Sequence, residues 1–599
     1  MVRLQDFHKI SYTKPRFFRY TKPLEKIIGF DSEAYKDGNT FMFCTSEGDI
    51  ILPNQLLSII FTPQYSGANF VVWNIKYESG AILKLLPLRV IKKLQKLHKI
   101  RFTFRKQKYE IKYIPHKFLS IKQIKFNGKS VRFWDMSPFY GRTKLNTAAQ
   151  EYLKESKDDI DPNLFTYDFV QSNFEKIARY CIQDAVLTQK LATLWIDKFQ
   201  ETGVDVTSLY SEASISFAYY SQSTSIVTPA EFWDTNRTLI RYAFEAYEGG
   251  KFEITARGYV PNAYEYDISS AYPYEIANLV DIRNSEISYS KTYQKDAVYG
   301  FIRVLISYND PSIHLPCGIF RKLRIYPMGK YYLTITKQEY EYILYELPSV
   351  SLKIIDAAWI FVNRRSYPYR ETTYDLYDLK TKWKKNDKLR SNNYKLVMNG
   401  FYGKMAQCLE DQSGTYKAGA GWNPIYASVI TANTRIAITR MQNMLDHDCI
   451  AVHTDSVITK VPIPQHYVKP GLGNFEFVEQ GEALIIACGI YEINGECAVK
   501  GFINKKKKDK HAIRRMLEEN PNKDKIQLTV LHVESWLQAM AQNHDIDSIN
   551  LFSEAPKIMK LNCDTKRSWP SNVNTNTLLT SLQYSTPLNE QQNNIPNYW

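Results

Sequence analysis

Tyr264-Glu265-Tyr266-Asp267-Ile268-Ser269-Ser270-Ala271-Tyr272-Pro273 reads as a strand that runs into a turn, with Asp267 at the strand's end. A carboxylate placed there can meet a divalent cation, and Tyr272 follows within the turn. Far downstream, Cys449-Ile450-Ala451-Val452-His453-Thr454-Asp455-Ser456-Val457-Ile458-Thr459 reads as strand, tight turn, strand. Its turn presents a second acid, Asp455. Between the two lies Lys395-Leu396-Val397-Met398-Asn399-Gly400-Phe401-Tyr402-Gly403, a basic helix in which Lys395 and Asn399 share one face. A lysine there supplies a cation for triphosphate oxygens, and Gly400 and Gly403 permit close approach of backbone or base. Two-metal phosphoryl transfer needs carboxylates converging on ions roughly 3.5–4 Å apart. Mg²⁺ suits such a site, since it is held by one or two carboxylates plus substrate phosphates.

A second set of acids lies nearer the N-terminus. Asp31 and Glu33 follow the apolar run Ile27-Ile28-Gly29-Phe30 and, two apart on a strand, point to one face. Asn74-Ile75-Lys76-Tyr77-Glu78 follows a second apolar run, Val71-Val72-Trp73. Tyr180 and Asp184 are i and i+4 on a helix expected over residues 172–200. These carboxylates with Tyr180 could hold two divalent ions and orient a hydrolytic water. Tyr247-Glu248-Gly249-Gly250 precedes the first acid of the other set, and its glycines would let backbone amides approach a phosphate. Taken singly, each segment is also what an ordinary turn or helix end looks like.

The whole chain agrees with a polyanionic partner. Its 599 residues imply two to four domains, and 77 Lys+Arg against 62 Asp+Glu give a formal net charge of +15, which favours DNA or RNA. Residues 89–132 are strongly basic, with Glu110 the single acid, and Asn127-Gly128 reads as a hairpin turn. Eight scattered cysteines include no C-x₂-C pair and no disulfide framework, which fits a reducing, cytoplasmic setting. No secretory signal or membrane span is expected. The stretch 276–370 is strand-rich and carries no chemical motif, Lys505–Lys508 is a lysine run, and residues 571–599 are polar enough to be extended unless docked.

In this order the segments resemble the family B DNA polymerases. The resemblance rests on motif A (Asp267, Ser270, Tyr272), motif B (Lys395, Asn399, Tyr402, Gly403) and motif C (Asp455, Ser456). Tyr247-Glu248-Gly249-Gly250 and the chain length are similar to the protein-primed branch of phages, adenoviruses and linear plasmids. The upstream acids resemble the three motifs of a 3′–5′ proofreading domain. The implied fold is α+β and multidomain: a right hand of palm, fingers and thumb behind a ribonuclease-H-like exonuclease domain. The boundaries would be exonuclease 1–205, palm and fingers 206–480 with a priming-protein-binding insertion within 276–370, thumb 481–570 and a polar tail 571–599.

The resemblance also implies roles. Asp267 and Asp455 would hold two Mg²⁺ or Mn²⁺ ions, as would Asp31, Glu33 and Asp184 at the exonuclease site, with Glu78 and Tyr180 completing it. Lys395 would neutralise the triphosphate, with Lys382 a second candidate. Tyr272 would pack beneath the deoxyribose, and Tyr402 and Asn399 would face the incoming nucleotide. Tyr247, Gly249, Gly250, Ser137, Tyr491 and Lys500 would contact DNA, and Lys154 or Lys157 would be the exonuclease lysine. Partners would be primer–template DNA, deoxynucleoside triphosphates and a terminal protein primer, bound by a monomer. Four departures stand out: His453 replaces the usual first acid of motif C, Glu78 an Asp, Ala271 a Leu and Gly489 a Lys. A carboxylate at 453 is expected to be tolerated. A primer-independent relative, a decayed DNA-binding replication protein and a pure exonuclease are the competing readings.

Overall fold

A computed structural model describes residues 4–13, 22–124, 130–158, 160–410, 414–499, 510–597 and 599. The expected Asn127-Gly128 turn, Lys500 and the Lys505–Lys508 run lie outside them.

The acids of the N-terminal set gather at one mixed sheet and the helices against it. Among the described residues its strands run, edge to edge, Ile50–Ile51, Thr40–Thr45, Ile27–Ala34, Asn69–Val72, Ser130–Asp135, Phe118–Gln123, Gln107–Ile114 and Lys99–Phe104. We call Ile27–Ala34 β1 and Thr40–Thr45 β2; they pair antiparallel, with Asp31 opposite Cys44 and Glu33 opposite Met42. The next two neighbours, Asn69–Val72 and Ser130–Asp135, run parallel to β1. Phe30, Phe70 and Phe133 pack on one side of this centre, with rings 5.0–5.3 Å apart. Helix α1 (Ile75–Leu83) carries Glu78, and α2 (Tyr167–Gln200), capped by Thr166, lies against β1 and β2.

The second set converges on another sheet. Its strands are β3 (Lys251–Ile254), β4 (Ala256–Ile268), β5 (Cys449–Thr454), β6 (Ser456–Thr459) and β7 (Phe475–Ala487), in the spatial order β3-β5-β6-β4-β7, continued by Ile490–Ile493 and Glu496–Val499. Helices α3 (Arg370–Trp383) and α4 (Lys388–Gly400) pack on each other above it, and α5 (Pro424–Leu445) is buried on nearly every face. Residues 276–370 build their own antiparallel sheet around the central strand Tyr299–Tyr308.

The sequence boundaries shift in three places. Position 480 falls within β7, whose longest pairing is with β4, so the palm sheet runs past it. The polar tail is docked: Leu582–Tyr584 pairs with β4, Asn589–Gln591 adds a parallel strand to the 276–370 sheet, and Trp599 packs 5.7 Å from Tyr332. The N-terminal lead-in leaves the exonuclease half; Ile10–Ser11 pairs with Tyr416–Ala418, and Phe7 packs on Trp233 and Phe244. A long hairpin, Lys525–Val533 with Phe552–Lys560, sends the helix Trp536–Ala541 back to the first half, where Trp536 meets Tyr113 at 4.8 Å. Among the described residues no helix is long and apolar enough to cross a membrane.

Two candidate active sites

Asp267 stands near the end of β4, paired with Ser456 of β6 on one side and Glu476 of β7 on the other. The Ile268 N–H donates to the Asp455 carbonyl at 2.8 Å, so the backbone itself ties the two acids together. Burial raises both carboxyls. Asp267 is pushed up to about 7, first by burial and then by Asp455 and Glu265, with Lys395 acting against them. Asp455 is raised by burial, and Lys395 again opposes the shift. Lys395 and Asn399 project from the exposed face of α4, as the i, i+4 spacing predicts.

The turn that presents Asp455 is strained. Thr454, a β-branched residue, sits at φ +62°, a region such residues rarely enter. Gly250, next to β3, lies directly over it: a Cβ there would come within 2.5 Å of Thr454 Cγ2 and 2.9 Å of its Cβ. The second glycine of Tyr247-Glu248-Gly249-Gly250 therefore makes room for the motif C turn. Gly250→Ala should displace that turn and lower any activity that needs Asp455 by about 10²-fold, the scale of a 1 Å misplacement. Adding Thr454→Gly should restore much of the loss; if the double variant is no better, the glycine acts elsewhere.

Arg435, on α5 and fully buried, holds this segment in place. It donates to the carbonyls of Glu248 (2.8 Å), Gly249 (2.9 Å) and Pro316 (2.7 Å), and to the Glu339 carboxylate (2.6 Å). Glu248 accepts in turn from the Gly318 N–H and pairs with Arg324. The Tyr247 and Tyr402 hydroxyls share a hydrogen bond at 2.6 Å, and the Tyr402 ring lies 4.6 Å from Tyr272. Three tyrosines from three separated motifs thus meet beside the acids. Gly400 is required by the helix Glu212–Ser223, since a Cβ would sit 2.9 Å from Ser216.

Two of the expected residues have surroundings that bear on their roles. Lys382 is exposed, with its ammonium over the Trp383 ring at 5.5 Å. Lys380 is the α3 lysine at the site: it donates to Ser270 Oγ at 3.1 Å, and the Asp267 charge reaches it. Two residues along a helix turn the side chain to the opposite face, which is why the choice between them matters. His453 is buried and stacked on Tyr491, with centroids 4.9 Å apart and planes at 9°, so an acid there would forfeit that packing and bury another negative charge. Tyr491 donates to Glu265 at 3.2 Å, so its hydroxyl is occupied by a neighbouring acid. Gly489 stands at φ +77° between β7 and the next strand, a turn that a lysine would strain.

At the N-terminal site, α2 lays Tyr180 and Asp184 against β1. Lys157 donates to Asp184 Oδ2 at 2.5 Å and to the Tyr180 hydroxyl at 2.6 Å, whereas Lys154 turns away to the Glu151 carbonyl. Burial, and then the Asp184 charge, pushes Asp31 up to about 8, with Lys157 opposing. Glu33 and Glu78 are raised by burial and then by Asp31. Glu78 Oε2 and Asp184 Oδ1 are buried with no hydrogen-bond partner. A group of crowded acids with unpaired oxygens fits divalent cations well. Ser137 donates its hydroxyl (2.8 Å) and its N–H (2.9 Å) to Asp135, so here it holds a carboxylate. Asp135, which burial pushes up to about 6, is an acid near Glu78 that the sequence reading missed; its signal was a strand-end acid in Phe133-Trp134-Asp135.

These shifts have a definite sign. A carboxyl raised from 3.8 to about 7 (Asp267) or about 8 (Asp31) binds more protons folded than unfolded across that interval. Stability of the metal-free chain must therefore fall as pH rises from about 5 to 8. Mg²⁺ or Mn²⁺, which competes with those protons, should flatten the fall. Thermal unfolding with EDTA or Mn²⁺ at pH 6 and pH 8 checks it; a metal-free chain more stable at pH 8 would contradict it.

Comparison with known proteins agrees with this geometry. The family profile "DNA polymerase type B, organellar and viral" matches residues 74–442, from motif-bearing α1 through α5. Asp31, Glu33 and Asp455 lie outside that match and stand on the structure. A DNA polymerase of Acidianus bottle-shaped virus (isolate Italy/Pozzuoli) is 26% identical over 422 residues, 64% of this chain. The aligned part spans 61% of that relative's length. Among solved structures, Phi29 DNA polymerase with primer-template DNA and incoming nucleotide is similar with a TM-score of 0.60 at 12% identity, over 90% of this chain and 100% of that one. The same enzyme with primer-template DNA alone gives 0.62, with the same identity and coverage. The architecture is thus the palm, fingers and thumb of a right hand behind an exonuclease-type domain, and the chain belongs to the type B DNA polymerases of organelles and viruses.

Proposed function

We propose that this chain is a template-directed DNA polymerase that replicates a viral or linear-plasmid genome, with a 3′–5′ exonuclease on the same chain. The observation that carries the polymerase reading is the 2.8 Å bond from Ile268 to Asp455, which fixes two acids on adjacent strands beneath Lys395. Bound Mg²⁺ would supply charge stabilisation for an in-line attack on the α-phosphate. Asp267 and Asp455 would hold the ions, and Lys395 and Lys380 would neutralise the triphosphate. Tyr272 and Tyr402 would close the sugar and base side of the pocket. At the other site, Asp31, Glu33, Glu78 and Asp184 would hold the ions, and Lys157 and Tyr180 would orient the attacking water. Eight free cysteines suit a cytoplasmic setting in the host.

We further propose that a terminal protein primes synthesis. Support comes from the separate sheet of residues 276–370, which Arg435 and Glu248 join to Tyr247-Glu248-Gly249-Gly250. Its hairpin, Ile319–Phe320 with Arg324–Ile325, exposes Phe320 (66%) and Leu323 (46%) beside Arg321 and Lys322. Deleting the segment would remove the central strand Tyr299–Tyr308, so point changes are the better probe. Phe320→Ser with Leu323→Ser should reduce protein-primed initiation by about tenfold or more. Extension of a DNA primer should change little. The assay is labelled-nucleotide incorporation on DNA-primed, protein-primed and unprimed templates with Mg²⁺ or Mn²⁺. Equal loss of both reactions would defeat the docking role, and efficient unprimed synthesis without added protein would favour a primer-independent enzyme.

A further inference from the structure

One feature of the exonuclease-type site is foreign to a site for hard cations alone. The ligand atoms of Asp31, Glu33 and Cys181 all lie within 4.8 Å of one another. The sulfur arrives there by simple geometry. Cys181 follows Tyr180 and precedes Asp184 by three residues on α2, so the same turn that delivers the acid delivers the thiol. Across the sheet, Cys44 is the β2 partner of Asp31 and Met42 the partner of Glu33. Cross-strand partners project to the same face. Cys44 Sγ lies 3.8 Å from Met42 Sδ and 4.0 Å from the Ala178 carbonyl of α2, three residues before Cys181. Two thiols and a thioether thus form a floor beneath two carboxylates. Asp31 is partly exposed, and Glu78 Oε2 and Asp184 Oδ1, both on buried side chains, are unpaired beside the cluster.

We propose that this centre is a mixed oxygen–sulfur site that binds one thiophilic divalent cation, Zn²⁺, through Asp31, Glu33 and Cys181. Hard Mg²⁺ has no use for a thiol, whereas Zn²⁺ takes sulfur and carboxylate together. A tetrahedral ion with bonds of about 2.3 Å to sulfur and about 2.1 Å to oxygen sets ligand atoms about 3.6 Å apart. The group need contract by only about an ångström from its present spread. On binding, the Cys181 S–H bond breaks, the proton leaves to solvent and the sulfur's electron pair forms the bond to zinc. Seated there, Zn²⁺ excludes the ions that hydrolysis needs and acts as an inhibitor. That consequence rests on the nuclease reading, whereas the binding itself rests only on the geometry.

The test uses the full chain and Co²⁺ as a coloured stand-in for Zn²⁺. Titration should give a thiolate-to-cobalt charge-transfer band that saturates at one equivalent and disappears on adding Zn²⁺. Cys181→Ser should abolish the band, and Cys408→Ser, on the polymerase half, should keep it. Single-strand degradation in Mg²⁺ should need about tenfold or more extra Zn²⁺ for half-inhibition in Cys181→Ser. Primer extension reports that each variant folds; should Cys181→Ser fail it, Asp31→Asn carries the same expectation for the band. No band in the unmodified chain, a band that survives Cys181→Ser (or Asp31→Asn where that variant stands in), or equal zinc sensitivity with and without the thiol overturns the proposal. A normal band in a chain that degrades nothing in Mg²⁺ or Mn²⁺ leaves the metal site standing and defeats the nuclease reading instead.

Discussion

Asp455→Asn will lower nucleotide incorporation by about 10³-fold or more while leaving single-strand degradation within about twofold. The size follows from what a metal contributes: several kcal/mol of transition-state charge stabilisation, at about 1.4 kcal/mol per factor of ten in rate. Asn keeps the shape of the turn and its backbone bond to Ile268 but removes the charge. Asp267→Asn should behave alike, because its carboxyl feels Asp455 more than any other charge. Neither acid touches the other sheet, where Asp31 and Asp184 both respond to Lys157 and Asp31 also to Asp184. Steady-state incorporation on a primed template, with degradation of labelled single strands beside it, reads both activities from one preparation. Near-normal extension by either variant would remove the polymerase assignment, and parallel loss of both activities would point to misfolding.

The mirror image is the second large effect. Asp31→Ala with Glu33→Ala should lower single-strand degradation by a similar factor and leave primer extension intact. Both side chains leave β1 on the face covered by α2. The double change also relieves crowding, since burial raises both carboxyls, Asp184 adds to the shift of Asp31, and Asp31 and Asp184 add to that of Glu33. Thermal stability above pH 7 should therefore rise while nuclease activity is lost. Glu78→Asp is a milder probe: the helix Trp536–Ala541 region braces α1, with Asn550 donating to the Tyr77 carbonyl at 2.9 Å. A shorter acid there should still degrade DNA. Unchanged degradation in the double variant would contradict the assignment of β1.

Much of this was legible in the sequence because each motif is local. A strand end, a helix face and a turn are each set by a handful of adjacent residues, so Asp267, Asp455, Lys395, Asp31, Glu33 and Asp184 could be placed before the fold was known. What escaped depends on distant pairing. Arg435 reads as one more helix residue until Pro316, Glu248 and Glu339 are seen around it. Lys380 and Lys382 differ only in which face of α3 looks down on Ser270. Lys157 was named beside Lys154, and only the fold shows which of the two reaches Asp184. Cys181 reads as an apolar helix position until β2 brings Cys44 beneath it. Composition left the C-terminus open: residues 571–599 are polar enough to be extended unless docked, and backbone pairing with β4 and the 276–370 sheet docks them.

The most direct measurement is single-nucleotide extension of a primed template by the unmodified chain, with each deoxynucleoside triphosphate supplied alone in Mg²⁺. The account predicts addition of the one nucleotide complementary to the template base, a change of product when that base is changed, and no addition by Asp267→Asn. Incorporation that ignores the template, no incorporation at all, or incorporation that survives loss of Asp267 would contradict it.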